Sequence, residues 1–195
     1  MYTKNHHYGN HLLPVIINIH GGKYYFGAGS LFGPSYLLRE PIILVTINFR
    51  QGVFGYLSTH DEASPGNYAL KDQALALRWI HENIKSFGGD PYRTTLMGQS
   101  SGACASHLHM MSPLSHGLFQ SVVSRSACAF NHWCVSPKKR SYRLTVRLAK
   151  RVRCPTRRGS HALMRCFRRT SPTYLLLQSR GLYVSEDCLL IGIKT

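Results

Sequence analysis

Leu70, Ala74, Leu77, Ile80, Ile84 and Phe87 recur at steps of three and four, which places them on one face of a helix. Ser64, Pro65 and Gly66 supply a turn before it, and Gly88, Gly89 and Pro91 supply a left-handed cap and a breaker after it. On either side the helical period disappears. Leu13 to Ile19 (LPVIINI) and Pro41 to Phe49 (PIILVTINF) are β-branched runs upstream, and Thr94 to Met97 (TTLM) and Gln120 to Ser124 (QSVVS) are shorter ones downstream. Apolar runs without alternation predict strands of a parallel sheet covered on both faces. A further helix is predicted over Ala103 to Met111, directly after the third run. Strand and helix in alternation predict an α/β fold: a central, mostly parallel, doubly wound sheet with helices on both faces.

The 195 residues are one domain's worth of chain. At 44% hydrophobic and 16% charged, they supply a core but no run of about 18 apolar residues that could span a bilayer. The formal charge of +16 is unevenly placed, with +3 over residues 1–137 and +13 over residues 138–195. No Asp or Glu occurs between Asp90 and Glu186. Lys138 to Arg169 holds 13 basic residues, yet Tyr142, Val146 and Ala149, then Ala162, Leu163, Cys166 and Phe167, keep helical spacing. That pattern predicts two short helices broken at Pro155. The expected organisation is a globular front over 1–137, a basic continuation of the same domain over 138–176, and an atypical tail over 177–195. The basic segment carries no recognised nucleic-acid-binding motif and few aromatic residues, so nucleic acid is not an expected partner. Nothing in the pattern sets an oligomeric state. The first residues, Met1 to Lys4, lead into polar, His-containing sequence rather than the apolar run of a secretion signal.

Cysteines stand at 104, 128, 134, 154, 166 and 188, with no CxxC pair and no Cys/His spacing of a zinc module, so no metal site is expected. Cys154 and Cys166, around Pro155 and Gly159, fit either a small disulfide loop or two buried free thiols.

Gly98, Gln99, Ser100, Ser101 and Gly102 spell G-x-S-x-G where the third strand should meet a helix. A nucleophile elbow needs that context, because the glycines let the backbone turn sharply and leave the serine hydroxyl at the strand's carboxyl end. His20, Gly21 and Gly22 follow directly on the first strand. A Gly-rich turn there can aim backbone N–H groups at the oxygen that becomes negative during acyl transfer.

In these segments the chain resembles the type B carboxylesterase and cholinesterase family of α/β-hydrolases. The resemblance runs through PVIINIHGG (Pro14 to Gly22), NFRQGVFGYLS (Asn48 to Ser58), SPGNYALKDQALALRWIHENIKSFGGDP (Ser64 to Pro91), GQSSGA (Gly98 to Ala103) and HLHMMSPLSHGLF (His107 to Phe119). It continues through CPTRRGSHALMRCFR (Cys154 to Arg168). The family implies an α/β-hydrolase fold, here incomplete, and hydrolysis of small-molecule carboxylic esters through an acyl-enzyme without a cofactor. Ser100 would be the nucleophile, and the N–H groups of Gly22, Lys23 and Ser101 the oxyanion hole. Relatives usually carry Gly or Ala where Lys23 stands, a change that leaves the backbone donor but would crowd the acyl pocket or strain a special backbone angle. Gln99 replaces the commoner Glu, as in some insect members, and Ser101 the commoner Ala. Arg50 and Asp72 correspond to a buried ion pair of relatives. The family further implies that Cys154 and Cys166 form a disulfide, which belongs to an oxidising compartment. Its members are secreted or lie in the lumen of the endoplasmic reticulum.

The triad of this fold runs Ser, then Asp or Glu, then His. After Ser100 the only acids are Glu186 and Asp187, and the imidazoles are His107, His109, His116, His132 and His161. None sits in a motif matching the family's, whose acid and histidine come later in the chain, so this sequence is expected to be a fragment of the catalytic domain. His107 and His109 are expected to be packing or surface residues. Ser185 to Ile193 (SEDCLLIGI) resembles a segment that members carry before the first strand. Two alternatives to an esterase stand beside it: a non-catalytic member of the same fold used for binding or adhesion, and a basic protein that binds anionic surfaces through residues 138–169.

Overall fold

The computed structural model describes residues 1–3 and 11–182, so the Ser185 to Ile193 match and the acids Glu186 and Asp187 lie outside the described residues. The described chain divides into two compact units. The first comprises Met1–Gly22, Phe26–Phe49 and Leu70–Ala129, and the second the remainder.

In the first unit, β1 (Leu13–Ile19), β2 (Ile43–Thr46), β3 (Gly89–Gln99) and β4 (Ser121–Arg125) form one sheet in the order β2-β1-β3-β4, all parallel. All four predicted runs are strands. β2 is shorter than its apolar run, and β3 starts before Thr94, at Gly89, where an added Cβ would lie 2.5 Å from Ile84 and 2.8 Å from Val15. Tyr2 exchanges two backbone hydrogen bonds with Leu44, which covers part of the outer edge of β2.

Val15, Ile17, Ile19, Ile43 and Leu96 are at most 1% exposed and point to one side of the sheet. Each such side chain contributes about 1.5–3 kcal/mol by leaving water. On that side the 3₁₀ turn that continues α2 (Tyr68–Asn83) brings Ile84 to Val15 and Ile43 around Gly89, and α3 (Ser101–Met110) packs on β3, β4 and β1. On the other side Ile16, Asn18, Thr46 and Met97 are half-buried.

The buried face of α2 is Ala69, Gln73, Ala74, Leu77 and Ile80, followed by Ile84. Phe87 departs from the expected stripe. It lies past the last α-helical turn, is 49% exposed, and its ring stands 6.2 Å from that of Trp79. Gly88, with φ +82, then ends the element in the left-handed conformation that glycine tolerates.

The second unit is helical: α1 (Gly52–Tyr56), α4 (Lys138–Arg151), α5 (Ser160–Arg169) and α6 (Pro172–Ser179). The two basic helices fall on either side of Pro155, as their spacing predicts. Cys154 and Cys166 are disulfide-bonded with Cα atoms 5.7 Å apart, within the 4.4–6.8 Å that a bridge requires. Thr145 Oγ1 donates to the Ser58 carbonyl at 2.7 Å, and His60 Nε2 lies 2.5 Å from Ser141 Oγ, tying the loop after α1 to α4. Burial first, and Lys138 second, hold the His60 imidazole below its usual pKa.

Candidate active site

Ser100 stands where β3 hands over to α3, with φ 55 and ψ −122. A side-chain-bearing residue in that conformation costs about 1–3 kcal/mol, so the surroundings must enforce it. They do so through backbone packing. A Cβ on Gly98 would meet the Gly102 carbonyl oxygen at 2.1 Å, and one on Gly102 would meet the Ile19 carbonyl oxygen at 2.1 Å. Both glycines of G-x-S-x-G are therefore fixed by close approach: the first lets α3 turn back over β3, and the second lets α3 rest on the end of β1. The Ser100 N–H donates to the Arg125 carbonyl at 2.9 Å, and that carbonyl anchors the turn from β4. Ser100 is half-buried.

The turn after β1 lies against the same corner. A Cβ on Gly21 would fall 2.6 Å from the Gln99 carbonyl oxygen and 3.2 Å from Ser100 Cβ. Gly22 has φ +118, and its carbonyl accepts a hydrogen bond from the Phe26 N–H at 3.1 Å. His20 is a wall of this turn rather than a free base. It is 3% exposed, stacks on Phe49 at 4.5 Å, has Nδ1 2.8 Å from the Gly21 carbonyl oxygen, and leaves no room for a side chain on Gly27. Ser101 is buried in the first turn of α3.

Of the expected site residues, Gly22, Ser100 and Ser101 thus lie in the first unit. Lys23 lies in the second unit, is exposed, and has φ 53, the left-handed backbone in which any side chain is strained. Arg50 is exposed, with its guanidinium carbon 5.1 Å from the centroid of the Tyr68 ring. Asp72 is half-buried on α2. Gln99 faces a cavity of about 430 Å³ on the less covered side of the sheet, with Asn18, Thr46, Met97 and Arg125 among its walls.

Two features at this corner carry no sequence signature. The Arg125 carbonyl acts through the backbone, which any residue provides. Behind α3, His109 is 3% exposed, with Nδ1 2.8 Å from Ser115 Oγ and Nε2 2.9 Å from Gln73 Oε1. The amide oxygen can only accept, so Nε2 carries the proton and Nδ1 accepts from the Ser115 hydroxyl. Burial lowers the His109 pKa to about 4, which keeps it a neutral packing residue. His107 Nδ1 accepts from the Ala129 N–H at 3.1 Å. The one hint of this arrangement was Gln73, a polar residue within the apolar stripe of α2.

The Carboxylesterase family profile matches residues 1–194. Among relatives, the chain is 44% identical over 170 residues to a juvenile hormone esterase of Tribolium castaneum, covering 86% of this chain and 29% of the relative. It is 46% identical over 158 residues to esterase FE4 of Myzus persicae, covering 80% and 28%. It is 43% identical over 166 residues to neuroligin-2 of Mus musculus, covering 85% and 20%. Its backbone superposes on a crystal structure of juvenile hormone esterase from Manduca sexta, with OTFP covalently attached, at a TM-score of 0.81 and 31% identity over 85% of this chain and 32% of that one. The chain therefore spans less than a third of the length of each of these proteins. With its parallel sheet, its serine at the strand-to-helix corner and a family match running through residue 194, the chain belongs to the carboxylesterase family of α/β-hydrolases.

Proposed function

We propose that this chain is the nucleophile-bearing part of a serine-dependent carboxylic ester hydrolase. Ser100 attacks the ester carbonyl to form an acyl-enzyme, and the N–H groups of Gly22, Lys23 and Ser101 receive the developing oxyanion. The observation that carries the proposal is the strained backbone of Ser100, held by contacts that exclude a side chain at Gly21, Gly98 and Gly102. Strain enforced in this way serves to present a hydroxyl, since packing alone would be met by an ordinary turn. The reaction also needs an imidazole to accept the serine proton and an acid to hold that imidazole, and this part of the enzyme relies on later chain for both. His109 cannot serve as the base, because its two ring nitrogens are taken by Gln73 and Ser115. Arg50 and Asp72 are proposed to support the fold rather than the chemistry. Four oxidised cysteines, Cys104, Cys134, Cys154 and Cys166, favour a secreted or lumenal setting.

The experiment compares the 195-residue chain with a chimera in which the corresponding segment of the Tribolium castaneum relative is replaced by this chain. The isolated chain should turn over a short-chain aryl ester little if at all, while the chimera should hydrolyse it and be labelled by a fluorophosphonate. Ser100→Ala should abolish both. A folded chimera without Ser100-dependent turnover would overturn the esterase assignment in favour of a non-catalytic member. Robust Ser100-dependent turnover by the isolated chain would show that one of its own histidines completes a triad.

A further inference from the structure

The second unit carries a feature that ester hydrolysis does not use. Arg140, Arg143, Arg147 and Arg151 follow one another at steps of three and four along α4, with Lys150 beside them, so they form a single stripe. From Arg140 to Arg151 the stripe is about 16 Å long at 1.5 Å per residue. Ser141, Leu144, Thr145, Leu148 and Ala149 are buried, so the orientation of α4 is fixed by its packing. All five cationic side chains line one cavity of about 570 Å³, together with Leu144 and, after α6, Gly181 and Leu182.

The wall of this trough is built. The Arg151 guanidinium donates to the Gln178 and Arg180 carbonyls at 2.7 and 2.8 Å, joining the last turn of α4 to the end of α6. Like charges three and four residues apart on a helix repel. Helices α4, α5 and α6 themselves contain no Asp or Glu; Arg140 makes a further interaction, and the acids Glu186 and Asp187 lie outside the described residues. An arrangement that concentrates repulsion inside a concave surface is stabilised by an anion that enters it. Guanidinium groups suit oxyanions in particular, since each presents a planar fork to two oxygens.

We propose that the α4 trough binds a sulfated polysaccharide. A linear chain with a negative group every few ångströms matches a row of cations about 16 Å long. The disulfide-bonded cysteines of the protein point to an oxidising compartment, where such polysaccharides rather than nucleic acids are the available polyanions. This site is independent of the esterase assignment.

Heparin is the probe. The full 195-residue chain should bind immobilised heparin with a steep salt dependence. Arg143→Gln/Arg147→Gln/Lys150→Gln should lower the slope of log affinity against log salt by about two, which is the counterion release expected for roughly three lost contacts. Removing three exposed cations elsewhere in the unit, by Arg158→Gln/Arg168→Gln/Arg169→Gln, should leave the slope almost unchanged. Without any substitution, heparin should shield Arg143 and Arg147 of the wild-type chain from phenylglyoxal while Arg158 and Arg168 still react. Equal losses from the two triple variants, or uniform shielding of all arginines, would mean diffuse charge rather than a site. Duplex DNA of matched length binding at least as tightly as heparin, with the same shielding, would overturn the choice of a sulfated polysaccharide.

Discussion

His109 offers the most direct test of the corner that carries Ser100. Its imidazole is enclosed behind α3 and bonded on both nitrogens, and burial lowers its pKa from the ordinary 6.5 to about 4. The unfolded chain therefore takes up a proton on this residue near its ordinary pKa, whereas the folded chain refuses it until the pH is far lower. Stability from this group is complete above pH 6.5, falls as pH drops through the window between 6.5 and about 4, and levels off below it. One pKa unit is worth about 1.36 kcal/mol, so the loss is about 2 kcal/mol at pH 5 and about 3 kcal/mol once both states are protonated. The perturbation is His109→Gln, which removes the titration but keeps a side chain that can hydrogen-bond. At about pH 7.5 the variant should be less stable by about 1–3 kcal/mol, because Gln73 or Ser115 loses its partner. Urea unfolding of both proteins at about pH 7.5 and about pH 5 measures the gap between them, and the gap should shrink by about 2 kcal/mol at the lower pH. An NMR titration of the ring protons should place the midpoint near 4. A gap independent of pH, or a His109 ring that titrates near 6.5, would show that the imidazole is hydrated and that its enclosed network with Gln73 and Ser115 does not exist in solution.

Gly102→Ala should be severely destabilising, by about 3 kcal/mol or more, since the new methyl meets backbone oxygens of Ile19 and His20 that cannot move aside; urea unfolding of the variant checks it. Cys154→Ser/Cys166→Ser opens a loop whose ends are 12 residues apart, and loop closure of that size is worth about 3 kcal/mol, read as a melting temperature below that of the oxidised wild-type chain. Lys23→Gly relieves the backbone at φ 53 and should raise stability by up to about 1 kcal/mol by thermal melt, although the extra freedom of the unfolded chain offsets part of the gain.

The strands of the first unit were legible as apolar runs without alternation, α2 by its steps of three and four, and α3 by its place directly after the third run. Ile17, Ile19 and Leu96 sit in apolar runs, and Leu77 and Ile80 in a helical stripe, so burial and pattern agree. The G-x-S-x-G corner was legible for another reason: its glycines are demanded by contacts of 2.1 Å and so must be written as glycine. What escaped notice was short or made by the backbone. α1 has five residues, too few to show a period, and the apolar side chains of α6 do not follow one face. The full extent of β3 was hidden by Gly89 and Pro91, which read as part of the cap and breaker after the helix, although Gly89 pairs with Leu13 at the start of the strand. The Arg140 to Arg151 stripe showed in the sequence as an excess of charge. Only the three-dimensional placement of Gly181 and Leu182 makes it a trough.

The conformation of Ser100 is held by Gly21, Gly98 and Gly102 and by its own N–H on Arg125, and none of these contacts involves the serine hydroxyl. Chemistry and architecture are therefore separable at this corner. A lineage can replace Ser100 through one substitution and keep a corner of unchanged shape, whereas a change at any of the three glycines disturbs the fold whatever residue 100 is. The hydroxyl and the packing that presents it rest on neighbouring but different positions. Descendants that keep the glycines and discard the serine are within a single mutational step, ready to be recruited for work in which only the surface matters.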